Sequence, residues 1–205
     1  MSRINEHFCF KCLVIIAKFF LTIPHMDHDK KHIKDLDDIQ HSLDNKYKKH
    51  SKRLFDCNYE YFKDINNDLL KRDELIKNQQ KENKLEDFWE KAFKNFDVAG
   101  DILPSDSENN PDGSWIKSLR CELQDNYTYL VRLELKENEY VGNTVLEKKI
   151  YLEDQDVDTE EIEWKTSLKH PIFLFFESDD QGYEMFDVLF DLYVTGYFYY
   201  SLCDE

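Results

Sequence analysis

The chain has 205 residues, 41 % hydrophobic and 15 % aromatic, and a formal net charge of −16. That length supports one or two domains with a substantial core, and the composition excludes a disordered chain. The negative charge repels nucleic acid and favours basic partners.

The charge is unevenly placed. Residues 151–205 hold 15 acids against 2 lysines, whereas residues 1–150 hold 28 acids against 25 bases. The five cysteines (Cys9, Cys12, Cys57, Cys121 and Cys203) are odd in number and irregular in spacing, so they predict reduced thiols rather than a disulfide scaffold.

Residues 1–25 differ in character from the rest of the chain. Phe8 to Ile23 is mostly apolar but is broken by Lys11 and Lys18. The uninterrupted run Cys12–Ala17 is too short to cross a bilayer. The segment reads as a leader outside the fold, or one removed by a start at Met26, with a signal segment or a packed element as the alternatives. Cys9-x-x-Cys12 has metal-ligand spacing, and His25, His28 and His32 lie nearby, but no second cysteine pair follows. No metal and no cofactor are expected.

Residues 26–84 predict one long helix, with no proline or glycine after Pro24 until Gly100. Its apolar stripe is Leu36, Ile39, Leu43, Tyr47, Leu54, Tyr61, Ile65, Leu69 and Ile76, mostly in steps of three, four and seven. The rows 36, 43, 50, 57 and 47, 54, 61 form a heptad seam, with a stutter near Ile65. Such a stripe needs an equally long partner, and a second copy of the chain is the simplest one. The alternative is a helix folded back on its own domain. Eight or so apolar side chains at about 1.5–3 kcal/mol each would give a gross gain over roughly 10 kcal/mol per chain.

Residues 85–205 predict an α+β domain. Leu85, Phe88, Trp89, Ala92, Phe93 and Phe96 share a wide helical face, ended by Gly100 and Pro104. Residues 104–113 are a polar loop. Ser114–Leu119 is read as a helical turn. Apolar residues then alternate over 119–123, 127–135 and 146–152, which predicts an antiparallel sheet with one buried face, although Lys148 interrupts the third stretch. Ile162 and Trp164 suggest a fourth strand. Phe173, Phe175 and Phe176 follow Pro171. Met185–Leu192 reads as an amphipathic helix with Glu184, Asp187 and Asp191 outward, and the aromatic run 193–203 should be covered.

These stretches together resemble the SET/nucleosome assembly protein (NAP) family of histone chaperones, the SET-like branch in particular. YFKDINNDLLKRDELI (61–76) resembles the end of that family's backbone helix. FWEKAFKN (88–95) resembles its FWxxxFxN signature. Asn138-Glu139-Tyr140 with Asn143, Val145 and Leu146 resembles its NPYFxNxVL segment, with Glu139 in place of the proline. Glu161–Lys165 resembles the I-x-W-K strand, Phe173 with Phe175-Phe176 the SFFxWF stretch, and residues 192–202 the closing segment with paired tyrosines. The basic insert and the long acidic tail of relatives have no counterpart.

The resemblance implies a dimer spaced by paired long helices, carrying two "earmuff" domains whose acidic undersides bind core histones, either the tetramer-forming or the dimer-forming pair. It implies residence in the nucleus, the cytoplasm or both, with no membrane and no sequence-specific nucleic acid. By charge density, the expected contacts are Glu153, Asp154, Asp156, Asp158, Glu160, Glu161, Glu163, Asp179, Asp180, Glu184 and Asp187. No glycine-rich phosphate loop, G-x-S-x-G or metal-helix motif suggests an enzyme. The competing reading is a non-enzymatic coiled-coil scaffold that docks another partner through its aromatic and acidic C-terminal half.

Overall fold

The structure, a computed structural model, describes residues 30–82, 84, 85 and 87–202, with side chains from residue 33. The leader, the Cys9-x-x-Cys12 pair and Cys203 lie outside the described residues. Two compact units divide the chain at Lys48/Lys49.

Helix α1 runs over Lys30–Lys81. Short-range pairs such as Lys63–Glu60 and Lys71–Asp68 support its solvent faces. It stops where Glu82 and Lys84 both donate to the Gln79 carbonyl. In the first unit every described side chain is exposed, including Ile33, Leu36, Ile39, Leu43 and Tyr47.

The second unit follows the predicted class. Helix α2 is Phe88–Lys94, α3 is Ala99–Ile102, and strands β1 Ile116–Gln124, β2 Thr128–Leu135, β3 Val145–Tyr151 and β4 Asp156–Asp158 form one antiparallel sheet in that order. Helices α4, Pro171–Glu177, and α5, Tyr183–Ser201, complete it. The period-two pattern sends Leu119, Cys121, Val131, Leu133, Leu146 and Ile150 into the core.

Four local expectations change. The helical turn at 114–119 is instead a turn leading into β1. The expected single helix over 85–96 spans only seven residues, and Gly100 sits inside α3. The fourth strand is Asp156–Asp158, while Trp164 makes only an isolated bridge to Val141. An edge position tolerates that charged strand, because its side chains reach water. The closing aromatic run is only partly covered: Tyr193 and Tyr199 are buried, while Tyr197 and Phe198 are exposed.

Helix α1 joins the core of this unit through a stripe of its own. Phe55, Phe62, Leu69 and Ile76 are all buried, at intervals of seven. Phe55 meets Tyr127 and Tyr129, and Phe62 meets Phe190. Leu69 and Ile76 therefore pack within the chain and are not open to a second copy. Ile65 is half-buried against the same core.

Lys148, the residue that breaks the β3 pattern, is 1 % exposed. Its ammonium donates to the carbonyls of Phe175, Ser178 and Asp180 at 2.9, 2.7 and 2.6 Å. The lysine thus closes the C-terminal end of α4, where a helix favours a cation. Burial pushes its ammonium down to about 8, against the pull of Asp180 and Asp179, so it is charged at neutral pH. Lys148→Met keeps the length and removes all three donors. We expect a loss of about 2–4 kcal/mol in urea unfolding, and a loss below about 1 kcal/mol would show that water replaces the lysine.

Gly182 precedes α5 with φ +63°, and a Cβ there would stand 3.0 Å from the Phe175 ring. Only glycine meets both demands without strain.

Candidate functional site

The residues of the family-like motifs form the joints of the second unit. Phe88, Trp89 and Phe93 fill the core beneath α5, and Asn95 donates its amide to the Tyr199 carbonyl at 2.9 Å. Arg72 donates to the Tyr193 carbonyl, pairs with Asp73 at 2.7 Å, and lies over the rings of Tyr193 and Trp89. Asp73 accepts the Tyr193 hydroxyl at 2.6 Å. These contacts tie the end of α1 to α2 and α5. Asn143 accepts from the Glu163 N–H at 2.8 Å and donates to the Glu161 carbonyl at 3.0 Å, fixing the backbone of 161–163. Trp164 donates its indole N–H to Glu177 at 2.8 Å.

The eleven expected contact acids stand on this frame in two groups. Glu153, Asp154, Asp156, Asp158, Glu161 and Glu163 are exposed along β4 and its flanks, and Glu160 is half-buried. Asp179, Asp180, Glu184 and Asp187 are exposed before and along the first turns of α5. The two groups are connected where the Glu160 N–H meets the Phe176 carbonyl at 3.1 Å. They line one strand edge and one helix start, not a single pocket.

Compensation separates these acids from those elsewhere. On the face of the sheet away from the core, carboxylates and bases alternate across the strands. Arg132 pairs with Glu147 at 3.1 Å, Lys117 with Glu134 at 3.1 Å, and Arg120 with Glu122. Among the described residues, only Glu153 of the eleven meets a lysine or arginine at ion-pair distance, namely Lys52. Asp156 accepts the Val157 N–H and Asp158 accepts the Tyr151 hydroxyl, which pushes that phenol up to about 12. The protein mass around Asp187, followed by the nearby Glu184 charge, pushes its carboxyl up to about 6. A bound cation would favour its ionised form.

The predicted seam divides. Leu36, Ile39, Leu43 and Tyr47 in the first unit and Leu54 and Tyr61 in the second are exposed, whereas Ile65, Leu69 and Ile76 belong to the intrachain core. Phe55 and Phe62 escaped the sequence reading, although their seven-residue spacing to Leu69 and Ile76 was a signal for them. Among the described residues no group of three His, Cys, Asp or Glu could hold a metal ion, and no helix is long and apolar enough to cross a membrane.

No family model matches the chain. Its structure is similar to that of a malaria parasite nucleosome assembly protein, with TM-score 0.48 and 18 % identity over 87 % of this chain and 98 % of that one. It is similar to nucleosome assembly protein S of Plasmodium falciparum at TM-score 0.47 and 20 % identity, over 82 % and 99 % of the two chains. The corresponding values for Ccp1 are 0.47, 14 %, 83 % and 94 %. In sequence it is 39 % identical over 167 residues to an uncharacterized protein of Encephalitozoon cuniculi, covering 82 % of this chain and 91 % of that one. With this identity sustained over most of both sequences, the chain belongs to the family of that E. cuniculi protein.

Proposed function

We propose that the protein is a non-enzymatic histone chaperone of the NAP class, acting as a homodimer in the nucleus, the cytoplasm or both. The observation that carries the reading is the acid along Asp154–Glu163 and Asp179–Asp187, whose carboxylates among the described residues meet no lysine or arginine at ion-pair distance, set against a sheet face whose acids are paired. The motif resemblance supports it, since the matched residues are the ones that hold the second unit together.

The chemistry suits a competitor of DNA. Histones hold DNA through phosphate charge. A chaperone must offer rival negative charge without binding so tightly that delivery fails. An exposed ion pair contributes only about 0–1 kcal/mol, so affinity arises from many carboxylates together. A dimer adds avidity, and screening over about 8 Å at physiological ionic strength makes the binding salt-sensitive.

The test is capture of core histones by the purified chain across a salt series, with and without DNA. We expect binding at moderate salt, release as salt rises, and a shift of histones away from non-specific DNA. Neutralising Asp154, Glu161, Glu163, Asp179 and Glu184 together as Asn or Gln removes five carboxylates at about 0.5 kcal/mol each. That should weaken binding by roughly 50-fold. Failure to compete with DNA for histones would sink the reading. The scaffold alternative draws on the exposure of Tyr197 and Phe198 on α5 and of Leu202 just after it. It would win if a non-histone partner bound with little salt dependence and lost affinity on Phe198→Ser.

A further inference from the structure

Two cavities adjoin where the stretches 103–105, 137–140 and 166–170 meet. The larger, about 350 Å³, is walled by Leu103, Tyr140, Leu168 and His170, with Glu139 beside them. The smaller, about 210 Å³, shares Glu139 and Tyr140 with it and adds Trp115, Asp112 and Glu137.

The walls are held by local bonds. Asn138 Oδ1 accepts from the N–H groups of Tyr140 and Val141, each at 2.9 Å, which sets the turn that presents Glu139. The Tyr140 hydroxyl donates to Asp112 at 2.8 Å, and its ring meets His170 edge-on at 5.6 Å. Leu168 takes its position from an N–H bond to Thr166 Oγ1 at 3.3 Å. Its side chain is left 63 % exposed at the mouth of the larger cavity.

The lining is selective in kind. Its leucine and aromatic walls alternate with hydroxyl and amide groups, the carboxylates of Asp112, Glu137 and Glu139 line it, the last two of them exposed, and it holds no lysine or arginine. Lys165, close in the chain, gives its ammonium to the Asn138 carbonyl at 2.8 Å. A side chain with a long aliphatic stem and a cationic head matches such a lining: the stem lies on leucine and tyrosine, and the head meets carboxylate and ring faces. Where the NAP-like motif has proline, this chain has Glu139. We propose that this cleft docks an extended lysine- and arginine-bearing histone tail, with one cationic side chain entering beside Glu139 against Tyr140 and Leu168. The proposal rests on the chaperone reading for the source of the tail, and it adds a site apart from the acids of β4 and α5.

The test uses the full chain, a fluorescent Lys/Arg-rich tail peptide of histone H3, and core histones trimmed of their tails. Leu168→Ser changes no charge, and it should weaken the tail peptide by roughly 5-fold or more. Glu139→Gln should do the same with an unchanged thermal melt. Asp64→Asn, a charge removed from an exposed part of α1, should change peptide affinity by less than roughly 2-fold. Trimmed histones should bind the Leu168 and Glu139 variants as they bind the wild type. Unchanged peptide affinity in Leu168→Ser, or an equal loss in Asp64→Asn and Glu139→Gln, overturns the cleft, and binding of trimmed histones still upholds the chaperone reading. If intact histones fail to leave DNA for the protein while the peptide still depends on Leu168, the chaperone reading falls and the cleft stands as a site for cationic peptide.

Discussion

Trp89→Ala is expected to destabilise the second unit by about 3–5 kcal/mol. The indole is 3 % exposed. It meets Phe88 edge-on at 5.2 Å and stacks on Tyr193 at 6.2 Å. Arg72 lies over it at 5.5 Å. A Cβ on Gly196 would stand 3.2 Å from its ring, so α5 passes close against it. Truncation opens a cavity that Tyr193 cannot swing in to fill, because its carbonyl and hydroxyl are held by Arg72 and Asp73 of α1. Domains are stable by only about 5–15 kcal/mol, so the loss takes a large share of the total. At about 2–4 °C per kcal/mol for a unit of this size, the melt should fall by roughly 10 °C. Trp89→Phe keeps the ring against Gly196 and should lose less than half as much. A loss under 1 kcal/mol for the alanine variant would mean that α2 is held on α5 by other contacts.

The same cluster shows what the sequence could reveal. Phe88, Trp89 and Phe93 were legible because a helical period of apolar residues is a local signal. Leu119, Cys121, Val131, Leu133, Leu146 and Ile150 were legible because alternation is equally local. Lys148 looked like an error in a strand, since its three carbonyl partners lie 27 to 32 residues away. Arg72, within the family-like stretch 61–76, and its neighbour Asp73 gave no sign of their partner Tyr193, which is more than a hundred positions distant. The fourth strand was placed at Ile162–Trp164 by apolar content, but an edge strand is selected by pairing with β3, and Asp156–Asp158 makes that pairing.

The candidate surface divides in the same way. Excess acid after Tyr151 is a matter of counting. Which of these carboxylates meet bases is not, because that depends on sheet register. Arg132 faces Glu147 only because β2 and β3 align as they do. Glu139 appeared in the sequence as a departure from a motif. Its place between two cavities required the turn at Asn138 and the return of the chain at Leu168.

Replacing both Leu43 and Leu54 by aspartate is expected to turn a dimer into a folded monomer. Two stripes share helix α1. Adjacent residues on a helix point about 100° apart, so Leu54 and Tyr61 lie on a different face from Phe55 and Phe62. The phenylalanine face is buried by the chain's own second unit. The leucine face is open: Leu54 is 40 % exposed, and in the first unit Leu36 and Leu43 are 65 % and 51 % exposed. Heptad rows that remain uncovered within one chain are best covered by another copy. If they are, each dimer buries the four leucines that the variant replaces at about 1.5–3 kcal/mol apiece, and aspartate adds the cost of buried charge. The dissociation constant should rise by roughly four orders of magnitude or more. Light scattering at micromolar concentration should give about twice 24.8 kDa for the wild type and 24.8 kDa for the variant. Far-UV circular dichroism should keep the second unit's signal, because Phe55, Phe62, Leu69 and Ile76 are untouched. Phe62→Ala should do the reverse, lowering the melt while leaving the dimer mass at concentrations where the fold persists. A wild-type monomer, or a double variant that still scatters as a dimer, would refute the seam and leave α1 as a support for its own domain alone.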